Sequence, residues 1–225
     1  MSVANDTLSP IASRRTVITL LGLTWAMGFA WLPLARWLNE FADTTHLITY
    51  EAAWWLASLV LVLYVRRVEG RPLASVGLRR PTLRAIAMGV AAGIALTVFM
   101  GVLYLWVLPA LHVSDQIAST TNAQLLAQTP LWWRLISSLR AAVAEELMFR
   151  GYAMERLQEL SGRRWVAVLI SCTVFTLAHV GAWGWSHQII VAVGGLAFSL
   201  LYLWRRNLWI NMTAHLVVDA VSVLG

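Results

Sequence analysis

The sequence predicts an all-α protein: a polytopic integral membrane helix bundle of about seven transmembrane helices with a cytoplasmic N-terminus. Three observations predict it. Of the 225 residues 59 % are hydrophobic and 12 % charged, a charged share about half that of an ordinary soluble domain. Seven apolar segments reach or approach the roughly 20 residues that a helix needs to cross a bilayer. Arginines fall in short clusters on alternate connections between those segments. The formal net charge of +6 does not mark a nucleic-acid partner. All seventeen basic residues are arginines, and their placement between apolar runs reads as topology signal rather than a binding patch. The expected partners are the lipid bilayer and a membrane-associated protein or peptide. The oligomeric state is left open.

Residues 1–15 read as a polar tail and 16–225 as a single transmembrane domain, with expected spans at 16–38, 48–65, 85–109, 131–154, 164–183, 188–204 and 208–224. The first segment is too long for a signal-peptide core and no small-residue cleavage site follows it, so it is expected to stay as a span. Between the second and third spans, Val76 to Arg84 mixes apolar residues with arginine. It is expected on the inner membrane surface, with Pro81 preventing a long helix. The fourth and fifth spans form a hairpin turning near Ser161 and Gly162. The sixth and seventh are separated only by Arg205, Arg206 and Asn207, a tight turn.

Orientation follows from the arginines. Arg14, Arg15, Arg66, Arg67, Arg71, Arg79, Arg80, Arg84, Arg156, Arg163, Arg164, Arg205 and Arg206 all fall on one side of a seven-span arrangement, which the positive-inside rule assigns to the cytoplasm. The opposite connections, Asn39 to Leu47, Ala110 to Pro130 and Gly184 to His187, carry no basic residue. Trp37, Trp106, Trp132, Trp133, Trp183 and Trp185 fall at expected outer boundaries, and Trp165, Trp204 and Trp209 at inner ones, as an aromatic belt would have them. Cys172 reads as small filler in an apolar helix. The absence of lysine suggests a GC-rich genome and hence a multi-pass protein of a bacterial inner membrane.

The fourth segment is the anomaly. Ala141 to Met154, AAVAEELMFRGYAM, places Glu145, Glu146 and Arg150 inside a membrane helix, where one ionised side chain costs about 2.5 kcal/mol or more unless it faces protein or water. Glu146 and Arg150, four apart, can pair along one face. Glu145 is rotated away by about 100° and is left over. Two later helices carry His179, four residues after Phe175, and His215, four before Asp219. His46, His112 and His187 fall in expected outer loops and attract no functional reading.

These blocks, EExxxR (Glu145, Glu146, Arg150), FxxxH (Phe175, His179) and HxxxD (His215, Asp219), with the small-residue run Gly194 to Ala197 between the last two, resemble the CPBP family of intramembrane proteases. That group contains type II CAAX prenyl endopeptidases and bacteriocin-processing or self-immunity proteins. The resemblance implies an endopeptidase whose catalytic helices lie in 131–225, with Glu145 the principal catalyst. It makes Glu145, His179, His215 and Asp219 the site, supported by Glu146, Arg150 and Phe175.

The residues allow Glu145 to activate water, His179 to share it, and His215 to stabilise the oxyanion. Asp219 stands where the better-known CAAX endopeptidases tend to have asparagine. An ionised aspartate cannot donate to an oxyanion. It is therefore protonated, or orients His215, or binds a metal. Zinc held by members of the set Glu145, His179, His215 and Asp219 and a metal-free site both stay open. The alternatives to a protease are a non-catalytic membrane peptide-binding or immunity protein, and a proton-coupled carrier, although the chain shows no internal repeat of transporter type.

Overall fold

The computed structural model describes residues 10–37, 43–112, 128–185 and 187–224, and no strand occurs among them. Helix α1 (Pro10–Gly28) begins inside the residues expected to be a polar tail. A proline suits a helix start, because its missing N–H would have no intrahelical partner there. The first expected span, 16–38, is not one helix. After Gly28 the backbone tightens into a 3₁₀ turn, Phe29–Trp31, and turns extended at Leu32 (φ −68°, ψ 134°) before the short helix Leu34–Trp37. Pro33 enforces this, since a residue preceding proline is driven out of the helical region. Apolar composition continues across the break, and length alone did not reveal it.

Helix α2 (Thr44–Val68) starts four residues before the expected boundary. Asp43 caps it by accepting from the His46 N–H at 3.0 Å, an arrangement that satisfies a donor otherwise left without a partner. Helix α3 (Leu83–Ala110) is capped in the same way by Thr82, 3.1 Å from the Ala85 N–H. Helix α4 runs as α-helix over Leu131–Glu145, as π-helix over Glu146–Met154, and as α-helix again over Glu155–Ser161. Gly162 ends it with φ 68°, a left-handed closure that glycine adopts without steric cost. Helix α5 (Arg164–Ala178) passes through His179 into the single turn Val180–Trp183. Helices α6 (Gln188–Arg205) and α7 (Leu208–Leu224) are joined through Arg206, itself left-handed at φ 47°.

Four helices, Thr44–Val68, Leu83–Ala110, Arg164–Trp183 and Gln188–Arg205, are long and apolar enough to cross a membrane, and Leu208–Val221 is a shorter apolar one. The chain is a membrane protein built as a helix bundle. Trp37, Trp106, Trp132, Trp165, Trp185 and Trp204 are exposed, as interfacial anchors must be. Trp133 is not an anchor. It is 2 % exposed and packs inward, one helix position having turned it from the lipid face that Trp132 occupies. Most of the connection expected at Ala110 to Pro130 lies outside the described residues.

The π stretch of α4 is the centre of the bundle, and all nine of its residues are buried. Around it gather Leu61, Val168, Tyr202, Leu208 and Met212 from α2, α5, α6 and α7. The backbone approaches closely at Gly151, where an added Cβ would lie 2.7 Å from the Val76 carbonyl oxygen. Helices α3 and α7 meet along Gly89 and Gly93. A Cβ at Gly93 would stand 2.7 Å from the Val217 Cβ and 2.9 Å from the Ala214 carbonyl oxygen. Backbone cannot yield as a flexible side chain does, so Gly93→Ala is expected to cost about 1–3 kcal/mol by overpacking. A lowered Tm in detergent would check it.

At the arginine-rich end, charge closes the bundle. Arg156, fully buried, pairs with Glu69 at 2.5 Å, and Glu69 also accepts from the Tyr152 hydroxyl at 2.7 Å. Arg71 reaches Glu159 at 2.6 Å. Arg206 pairs with Glu155, which accepts as well from the Tyr202 hydroxyl at 2.7 Å. These contacts bind the end of α2, the end of α4 and the α6–α7 turn to one another. The Leu208 N–H bonded to the Gly77 carbonyl at 2.9 Å adds the 70–82 connection.

Candidate active site

Glu146 has no exposed surface and opens the π stretch. Its Oε1 accepts from Arg150 Nη1 at 2.9 Å and from His215 Nδ1 at 3.0 Å, and its Oε2 accepts from Asn211 Nδ2 at 3.0 Å. The expected pairing along one helix face is therefore present, but its carboxylate is also the hub of α7. Arg150 extends the hub to α6, donating from Nη2 to the Gly195 carbonyl at 3.0 Å, with its guanidinium 4.4 Å from the Phe175 ring centroid. A Cβ at Gly195 would stand 3.1 Å from the Phe175 ring, which would have to give way by a few tenths of an ångström. Phe175 thus shapes the site by packing.

His215 is fixed from three sides. Glu146 takes Nδ1, the Phe198 ring stacks on the imidazole at 4.6 Å, and Nε2 faces Asp219 Oδ2 at 3.6 Å. A carboxylate only accepts, so Nδ1 carries a proton and Nε2 is the nitrogen presented toward Asp219. His179 sits at the end of α5, where Nδ1 donates to the Phe175 carbonyl at 2.8 Å. That bond leaves Nε2 of a neutral His179 as an acceptor.

Glu145 differs in kind from its neighbour. Its side chain keeps 13 % of its exposure, and its ion-pair contact is a loose one, 4.0 Å from Arg140 Nη1. Asp219 lies in the electrostatic field of His215, Glu145, Arg140 and Glu146. Glu145, Glu146, His215 and Asp219 are therefore neighbours in space. No hydrogen bond or ion pair joins Glu145 to His179 among the described residues.

Sequence reasoning missed three polar residues here. Asn211 is fully buried, and donates to Glu146 and, at 2.8 Å, to the Phe198 carbonyl. Four residues before His215, it shares that helix face, a spacing that was legible. Glu51 and Arg140, 6 % and 7 % exposed, form a buried pair at 3.3 Å between α2 and α4. Glu51 stands inside an apolar run, which is itself a signal of function.

A metal does not fit this donor set. Of the candidate ligands, His215 gives Nδ1 to Glu146 and His179 gives Nδ1 to the Phe175 carbonyl, and no bond or ion pair brings His179 to Glu145 among the described residues. Among the described residues no three His, Cys, Asp or Glu side chains group to hold an ion.

His187 lies outside the spans, stacked on Trp183 at 5.1 Å. Burial, with His179 nearby, pushes its pKa down to about 4. In the unfolded chain it titrates near 6.5, so acid protonates the unfolded state first. Its contribution to stability is complete above about pH 6.5 and is lost as pH falls through about 4. His187→Gln should flatten the fall of Tm across that window, measured by thermal unfolding against pH.

Comparison with known proteins agrees with this arrangement. Residues 127–221 match the family described as type II CAAX prenyl endopeptidase Rce1-like. The matched segment contains every site residue named from the sequence, whereas Glu51 lies outside it. The chain is also similar to "Putative membrane peptidase YdiL" of Bacillus subtilis (strain 168), 27 % identical over 90 residues, which are 40 % of this chain and 35 % of that protein. It is 33 % identical over 101 residues to "Uncharacterized protein YpbD" of the same organism, covering 44 % of this chain and 49 % of that one. The similarity thus spans half or less of the length of these curated relatives. No solved structure matches the chain.

Proposed function

We propose that the protein is an intramembrane endopeptidase that hydrolyses a peptide bond in a membrane-associated protein or peptide through a glutamate-activated water. The carrying observation is the division of labour between adjacent carboxylates. Glu146 accepts three hydrogen bonds and has no exposed surface, whereas Glu145 keeps some exposure and, among the described residues, one loose ion-pair contact. A saturated carboxylate orients other groups; an accessible one takes a proton.

In this reading Glu145 accepts the proton of the attacking water, and the acceptor nitrogen of His179 helps to hold that water. The water oxygen bonds to the peptide carbon. His215 donates from Nε2 to the resulting oxyanion, a contact typically worth about 3 kcal/mol when preorganised. Glu145 then returns the proton to the leaving nitrogen. Glu146, which accepts from Nδ1 at 3.0 Å, is the group that orients His215 through its other ring nitrogen, and Asp219, 3.6 Å from Nε2, is the counter-charge beside the imidazolium that donates. No step passes through a metal. A bacterial inner membrane is the proposed location, with the arginine-rich end cytoplasmic.

The test is cleavage by purified protein of a library containing prenylated C-terminal peptides, unprenylated peptides and membrane helices, with and without a strong chelator, beside Glu145→Ala. Cleavage that survives chelator and disappears in the variant supports the reading and reads out the substrate class. A folded wild type that cleaves nothing refutes it.

A further inference from the structure

Apart from the ion pairs that close the arginine-rich end, the buried charge outside the proposed chemistry among the described residues is the pair Glu51 and Arg140. Each nitrogen of the Arg140 guanidinium has its own task. Nε faces the Glu51 carboxylate at 3.3 and 3.4 Å, Nη2 donates to Ser137 Oγ at 2.8 Å, and Nη1 points toward Glu145 at 4.0 Å. The rings of Tyr50 and Trp54 flank the guanidinium, with centroids 5.6 and 5.2 Å away. The group is thus restrained in plane and in rotation by α2 and by Ser137, with Nη1 on the side of Glu145.

We propose that Glu51 and Arg140 are positioning residues for Glu145, an anchored guanidinium that fixes the direction of the carboxylate without binding it tightly. This rests on the endopeptidase reading above and adds to it Arg140 on α4 and Glu51 on α2, the latter outside the matched segment. The distances decide the form of the device. At 4.0 Å the Glu145 oxygen is outside hydrogen-bond range, so its lone pairs stay available for a proton. The same guanidinium acts electrostatically on Asp219, so one cation from α4 influences both carboxylates beside His215. Position matters steeply in such a site, since a displacement of about 1 Å can cost about 100-fold in rate.

A buried ion pair kept only for architecture is dispensable once both partners are replaced by apolar residues of similar size, a change that is often neutral or stabilising. That property separates the two roles. The experiment measures kcat, KM and Tm on the full chain in detergent, for the wild type, Glu145→Ala, the double variant Glu51→Leu/Arg140→Met, and the charge-preserving Arg140→Lys. The double variant is expected to melt at or above the wild-type temperature while kcat falls about 100-fold and KM stays within about twofold. Arg140→Lys, which keeps the charge but loses the fork, should fold and lose about 10-fold in kcat. A folded double variant with kcat within about threefold of wild type overturns the proposal. Failure of both variants to fold makes the pair an architectural clamp and also overturns it. A wild type without activity defeats the endopeptidase reading itself, whereas an active wild type killed by Glu145→Ala but indifferent to the double variant defeats only this inference.

Discussion

Glu145→Ala is expected to lower kcat by about 10²–10⁴-fold, the usual contribution of a positioned general base, while the protein stays folded. The stability part follows from its surroundings. Glu145 retains 13 % of its side-chain exposure, and its ion-pair contact at 4.0 Å is long. A contact of that length contributes little to folding, so Tm should move by only a few degrees. KM should change little, because proton abstraction matters in the transition state and not in substrate binding. The measurement is steady-state cleavage with a parallel melt. Wild-type kcat in the variant would remove Glu145 from the chemistry.

Glu146→Ala is expected to fail in the opposite way, by losing the fold. Truncation leaves Arg150, 1 % exposed, without its carboxylate, and removes the acceptor of His215 Nδ1 and of one Asn211 proton. Breaking a buried pair by removing one partner typically costs about 3–5 kcal/mol, a large share of the roughly 5–15 kcal/mol that holds an ordinary domain together. Low yield, aggregation in detergent or a strongly lowered Tm is the expected outcome. Glu146→Gln keeps the shape and an acceptor oxygen, and should be milder in stability while still disturbing His215. If Glu146→Ala melts with the wild type and cleaves slowly, the roles of the two neighbouring glutamates are reversed.

These contrasting roles were partly legible in the sequence. Spacing alone paired Glu146 with Arg150, and the charges inside an apolar run marked α4 as the functional helix. The arginine clusters and apolar lengths were enough for an all-helical membrane bundle. Three things escaped. The break at Leu32 and Pro33 lay inside uninterrupted apolar composition, so hydropathy passed over what a proline rule would have caught. Trp133 was read with Trp132 as an anchor, although adjacent helix positions point about 100° apart. Glu51 and Asn211 matched no recognised block, and their importance comes from what they touch across helices, which one strand of sequence does not display. The meeting of Asn211, Glu146 and His215 depends on the crossing of α4 and α7.

The widened winding of α4 has a further consequence. In an i→i+5 turn the chain spends one residue more per hydrogen-bonded loop than in an α-helix, and Glu146–Met154 maintains this over nine residues. Such a stretch is a reservoir of spare length. Removing one residue between Leu147 and Phe149 would be absorbed by rewinding to ordinary α geometry, whereas rewinding with every residue kept would swivel the preceding half of α4 about its own axis. Arg140 and Glu145 would turn together, Arg140 would leave Glu51 on α2, and the doublet would meet α7 with the wrong glutamate. The winding of this helix therefore sets which of two chemically identical neighbours is locked away and which keeps an exposed edge.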